Sequence, residues 1–266
     1  MRGAVALIRA RWLAARSYRV RMVFSTLSLL ATVVPLFFVA NALQPIMADK
    51  IAAEGDQYFA FLAVGTMTFL LLPVSVNALA GEIGSGINTG VLEALLGTRT
   101  RLSEVLAGLI GFSLLWAGLR AATMVVGAWL LGATILWSRV GLALLIVLLI
   151  VLAYVPFGMM AAALVIAFRT TGPLPQAVTT LSALLGGVYY PTHVIPSWLE
   201  SVSGMIPLTY GLRALRRTLL EGEPLRAVLP DLAILALFVV GLLSVGMIAL
   251  RVALAYARRV GSLSHY

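Results

Sequence analysis

From its N-terminus the chain alternates between long apolar runs and short polar breaks. Several runs reach the roughly 18–20 apolar residues that mark a membrane-spanning helix. The pattern predicts an all-α integral membrane fold with six transmembrane helices, at about residues 22–43, 58–80, 102–136, 140–168, 173–190 and 232–252. Pro156 and Gly158 predict a kink in the fourth, and Pro173 suits the start of the fifth. The third run outlasts a bilayer, so part of it is expected to project into the cytoplasm. Thr100 can cap it and Glu104 suits its first turn.

The breaks differ in character. Residues 1–21 carry Arg2, Arg9, Arg11, Arg16, Arg19 and Arg21. Arg2, Arg9 and Arg16 share one helical stripe, with Trp12 and Tyr18 as interfacial anchors, which predicts an in-plane helix on the cytoplasmic surface. A signal peptide is the rival reading, because Ala40-Asn41-Ala42 resembles a cleavage site. The apolar segment from Met22, however, outlasts a usual h-region of about 7–15 residues. Residues 44–57 read as a short polar loop. Residues 191–230 are too polar to span and too apolar for a free loop. They predict two short extracellular re-entrant helices broken near Pro207. Residues 253–266 read as a cytoplasmic tail. The most unusual break is 82–104, where four glycines, three acids and two arginines surround a short apolar core at 91–96.

Composition agrees with this class. Hydrophobic residues make up 61% and charged residues 11%, against about 45–50% and 25% in soluble domains. Mean hydropathy is +1.03. The net charge of +9 points to the cytoplasmic membrane face and anionic lipid, not to nucleic acid. With the N-terminus inside, inner segments collect 12 arginines and three acids, while outer segments collect six bases and seven acids. That bias places both termini and residues 82–104 in the cytoplasm, although Arg213, Arg216 and Arg217 fall outside. No internal repeat supports an inverted-repeat transporter.

Glu82, followed by Gly90-Val91-Leu92-Glu93-Ala94-Leu95-Leu96-Gly97-Thr98-Arg99-Thr100-Arg101, resembles the cytoplasmic signature of type 2 ATP-binding-cassette (ABC) export permeases. Val91 stands where the family usually has Thr, and Arg99 where it usually has Pro. A second block is similar to the family's C-terminal region: Gly187-Val188-Tyr189-Tyr190-Pro191, Ile195-Pro196-Ser197-Trp198-Leu199, Ile206-Pro207-Leu208-Thr209-Tyr210 and Ala214-Leu215-Arg216 with Gly222. The resemblance implies an exporter of two permeases and two ATPases in a bacterial inner membrane. The helix between spans two and three would dock on the ATPase, and the region between spans five and six would form an outer gate. Its substrates would be drugs, antibiotics, lipids or lipid-linked polysaccharides.

The residues bear on that implication separately. A P-loop needs a glycine-rich turn and a lysine on the outer phosphates. Lys50 is the only lysine, and its surroundings form no such loop. ATP and Mg are therefore expected on a separate ATPase, with no cofactor, metal or catalytic set on this chain. Ile83, Ile87, Val91 and Leu95 recur at i+4, Leu92 and Leu96 extend the face, and Glu93 offers a charge to a partner. The same stripe could simply rest on lipid, but glycines at 84, 86, 90 and 97 each weaken an isolated helix by about 1 kcal/mol. Arg120 is the one charge deep in a predicted span. It can meet carbonyls, a headgroup or an anionic substrate, or it can snorkel. Tyr189, Tyr190, Trp198 and Tyr210 read either as gate residues or as an interfacial belt. Gly187 offers close packing of two permease copies or a loose helix end. His193 and His265 form no ligand pattern. A membrane-integral lipid-modifying enzyme and an ATP-independent channel or scaffold are the alternative functions.

Overall fold

A computed structural model describes residues 19–88 and 102–260. Among the described residues the regular secondary structure is all helical, with no strand. The helices are α1 (Arg19–Ile51), α2 (Tyr58–Phe69), α3 (Leu72–Asn88), α4 (Leu102–Leu130), α5 (Val140–Phe168), α6 (Leu174–Leu185), α7 (Ser197–Ser203), α8 (Pro207–Leu219) and α9 (Leu225–Val260). Short 3₁₀ turns sit at Trp137–Arg139 and Thr192–Val194.

Among the described residues, five segments are long and apolar enough to cross a membrane: Leu27–Ile51, Tyr58–Gly86, Gly111–Leu130, Trp137–Phe168 and Leu225–Ala257. The expected six are not all present at that length. The fifth becomes α6, only Leu174–Leu185, about 18 Å at 1.5 Å per residue against a hydrocarbon core of about 30 Å. Gly186 and Gly187 end it, and Gly187 has φ +83°, a conformation that glycine adopts freely. The helical period continued into 186–190, but the backbone leaves the helix there.

Other boundaries shift for local reasons. α1 runs past Leu43 through Pro45 to Ile51, so much of the expected 44–57 loop is helical. The side-chain Oε1 of its Gln44 accepts from the Tyr58 amide at 2.6 Å and so satisfies a donor at the start of α2. α2 and α3 form one span broken at Leu70–Leu71, because Pro73 has no N–H to give to the preceding turn. α4 stops at Leu130, and Gly132, with φ +95°, turns the chain away. Leu136 then donates to Leu219 O at 2.9 Å. The 191–230 segment contains two short helices, with Pro207 opening the second. α9 begins at Leu225 and continues to Val260, beyond the expected span at both ends.

α5 is the central helix. It packs most extensively on α9 and α3. Closest approach needs glycine: a Cβ on Gly158 would lie 2.6 Å from Ser75 O, and one on Gly246 3.1 Å from Pro156. Two apolar clusters sit on either side of this waist. The larger gathers α1, α2, α4, the first half of α5, α8 and the first turns of α9. The smaller joins the ends of α3, α5 and α9. Outward, the fold inverts the soluble rule: Phe24, Leu144, Leu237 and Val240 are each more than 60% exposed. Exposed apolar surface on this scale requires a non-aqueous surrounding.

Candidate functional site

α8 carries the best-defined polar site among the described residues. Leu208, Leu212, Leu215 and Leu219 repeat at helical spacing and are buried, which seats one face of α8 against α5 and α2. Gly211 permits the contact, since a Cβ there would lie 2.4 Å from Ile150 Cγ1. Gly211→Ala is expected to destabilise the protein by about 1–3 kcal/mol. Adding Ile150→Ala, which removes the clashing Cγ1 and Cδ1, should recover part of that loss. Thermal midpoints in detergent of both variants check this, and no rescue by the second change sinks the steric account.

Arg216 lies on this apolar stripe and is 1% exposed. Its Nη1 donates to Glu54 Oε2 at 3.0 Å and to Gly187 O at 2.8 Å. Its Nη2 donates to Val188 O at 3.0 Å and Phe61 O at 3.3 Å. The guanidinium carbon stands 3.3 Å from the Phe61 ring centroid, a cation–π contact. One planar fork thus ties together the α1–α2 turn, α2, the α6–α7 connection and α8. A compact ammonium could not reach these acceptors in one plane. Burial pulls the Arg216 pKa down to about 10, with Glu54 opposing the shift, so the group stays charged at neutral pH. Tyr58 adds a parallel tie, its hydroxyl donating to Tyr189 O at 2.8 Å.

The neighbouring arginines are paired too. Arg213 Nε donates to both oxygens of Asp231 at 3.0 and 3.2 Å. That hydrogen bond raises the Arg213 pKa, against the opposing effect of burial. Arg217 pairs with Glu223 at 2.7 Å. The basic cluster that ran against the positive-inside pattern is therefore held by acids of the α1–α2 turn, the α8–α9 turn and the start of α9.

The structure brings the expected gate residues partly together. Gly187, Tyr189, Tyr190 and Pro191 form the connection clamped by Arg216. The Tyr190 hydroxyl donates to Leu184 O at the end of α6. The Tyr210 hydroxyl donates to Gly204 O at 3.0 Å, past the end of α7, and its ring lies 6.0 Å from that of Phe238. Pro207 is buried at the start of α8, whereas Trp198 on α7 is 68% exposed and stands apart. Arg120 lies at the middle of the Gly111–Leu130 segment, half-buried, with its Nε buried and without a hydrogen-bond partner.

Glu82 is half-buried on the last turns of α3. The other expected coupling residues, Gly90, Val91, Leu92, Glu93, Leu95, Leu96, Thr98, Arg99 and Arg101, lie outside the described residues. Sequence reasoning missed Arg216, Glu54, Gly65 and Asp231 as parts of a site. One signal was available: Arg216 is four residues from Leu212 and so falls on the apolar stripe, while Arg213 and Arg217 fall off it.

Long apolar helices with lipid-compatible outer faces define a multi-pass membrane protein. No cluster of three or more metal-ligating side chains occurs among the described residues. Residues 4–220 match the family model for the ABC-2 type transporter, and the chain belongs to that family. Its members are transport permeases, not enzymes on their own, and typically work with an ATPase. Among curated proteins none matches the chain in sequence.

Proposed function

We propose that the chain is the membrane-spanning subunit of an ATP-driven exporter in a bacterial inner membrane. It moves an amphipathic substrate (a drug, antibiotic, lipid or lipid-linked polysaccharide) out of the cytoplasm by alternating access. Two copies pair with two copies of a separate ATPase, which binds ATP and Mg. Both termini face the cytoplasm, and residues 82–101 dock on the ATPase. The family match carries this reading. The placement of α3 supports it: this helix runs unbroken from Leu72 to Asn88, and α4 starts at Leu102. The docking segment thus sits between two helices that pack on each other. A push on 82–101 reaches α4 and α5 through those contacts.

In this reading Arg120 faces the substrate path, and the clamped 187–191 connection with α7 and α8 forms the outer gate. Co-purification of the chain with its ATPase tests the coupling. Glu93→Arg and Leu95→Asp should abolish complex formation or lower stimulated ATP hydrolysis about tenfold or more, because a buried anchor and a facing charge are lost. Wild-type assembly and stimulation in both variants would overturn the docking assignment.

A further inference from the structure

Tyr154 is the largest fully buried side chain of α5, and it takes no part in the arginine latch. It is the middle residue of Val140–Phe168, so its hydroxyl lies at mid-membrane depth. There it donates to Ser182 Oγ at 2.6 Å. Ser182 stands on the last turn of α6 (Leu174–Leu185) and is buried. α6 therefore ends near the bilayer centre, and the non-helical 186–190 stretch carries the chain on from there. Backbone that leaves a helix at such depth must be sealed inside the protein. Side chains seal it here. Leu184 O and Leu185 O accept from the Tyr190 and Ser203 hydroxyls, Gly187 O and Val188 O from Arg216, and Tyr189 O from Tyr58. Thr209 Oγ1 donates in turn to Ser203 O at 2.8 Å. The end of α6, the end of α7 and the first turn of α8 thus form one hydrogen-bonded node.

Two other packings meet α5 just beyond Tyr154. Pro156 lies against Gly246 of α9, and Gly158 lies against the Ser75 carbonyl of α3. At Gly158 no side chain stands between the two backbones, so a shift of α3 passes directly to α5. From α5 to the node the contacts are of two kinds. Ile150 against Gly211 is apolar and can slide. The Tyr154–Ser182 bond cannot lengthen without leaving two buried hydroxyls unpaired, which is costly in a dry surrounding.

We propose that Tyr154 is a positioning residue for transport: its bond to Ser182 makes the end of α6, and with it the 186–190 stretch of the outer gate, follow α5. This rests on the exporter reading and extends it from the ATPase side to the outer side.

Hydrogen exchange read by mass spectrometry tests it, on the full chain with its ATPase in lipid nanodiscs, with and without ATP and vanadate. The wild type should show a nucleotide-dependent difference both in 72–88 and in 183–191. Tyr154→Phe and, separately, Ser182→Ala should keep the first difference and shrink the second about fivefold or more, the lower end of usual coupling between sites. The double variant should do no worse than either single change, because each removes the same bond. Thr179→Val removes a hydroxyl that bonds within α6, to Pro175 O and Gln176 O, and should leave both differences intact. A purely structural role gives another result: faster exchange at 183–191 with and without nucleotide, and an unchanged difference between the two states. That result in either single variant overturns the proposal, as does an equal loss in Thr179→Val. A wild type that responds in 72–88 but not in 183–191 overturns it alone, since the outer end then does not follow α5. A wild type that responds in neither segment overturns the exporter reading as well.

Discussion

Arg216→Ala is expected to cost about 3–5 kcal/mol of stability, the usual loss when one partner of a buried ion pair is removed. The change leaves Glu54 Oε2 and the carbonyls of Gly187, Val188 and Phe61 without their shared donor. Each buried acceptor then bears its desolvation penalty unassisted. Arg216→Lys should recover little, because an ammonium keeps the charge but cannot span four acceptors. Glu54→Gln should cost less than Arg216→Ala, since the three carbonyls still hold the guanidinium. Thermal midpoints of the purified variants in one detergent decide this order. A wild-type midpoint for Arg216→Ala would mean that the latch holds nothing. Its rupture should also loosen the 187–191 connection, read as faster proteolysis or hydrogen exchange there.

Gly65→Ala should come close to the same loss through added bulk. A Cβ at Gly65 would stand 2.2 Å from Val188 O and 2.7 Å from Arg216 Nη2. The first contact is backbone and cannot rotate away. α2 and the 187–189 connection must separate, and the guanidinium loses its place between them. Overpacking usually costs about 1–3 kcal/mol, and displacement of a buried charge adds to it. The combination Gly65→Ala with Arg216→Ala should therefore lose less than the sum of the two singles, because both break one network. Strict additivity would show that Gly65 and Arg216 act independently.

Much of the fold was legible in the chain. The apolar runs located the long helices, and α5 begins and ends where the pattern placed it. Burial in lipid demands continuous apolar helices with their backbone bonds satisfied internally, so composition alone nearly dictates them. Errors arose where polar residues were taken as loops. Asp49 and Lys50 remain on α1, because a helix can project polar turns beyond the bilayer. The fifth segment was read too long, because 186–190 keeps the apolar character of α6 while Gly187 bends its backbone away.

The candidate site was legible only in part. The family signatures at 82–101 and 187–216 were visible, as was the absence of a P-loop around Lys50. Three outer arginines were counted, but only as an exception to the charge bias. Glu54 and Arg216 are 162 positions apart, and nothing local in either segment announces the other.

By itself, then, the sequence determined a multi-pass helical membrane protein of the transporter type and the polar island between its second and third long helices. Lipid selects for apolar length, and that selection acts residue by residue along the chain. The tertiary structure decided which arginine is buried and which glycines must stay small. Those outcomes depend on distances between segments far apart in sequence, set by the packing of α8 and α9 against α5.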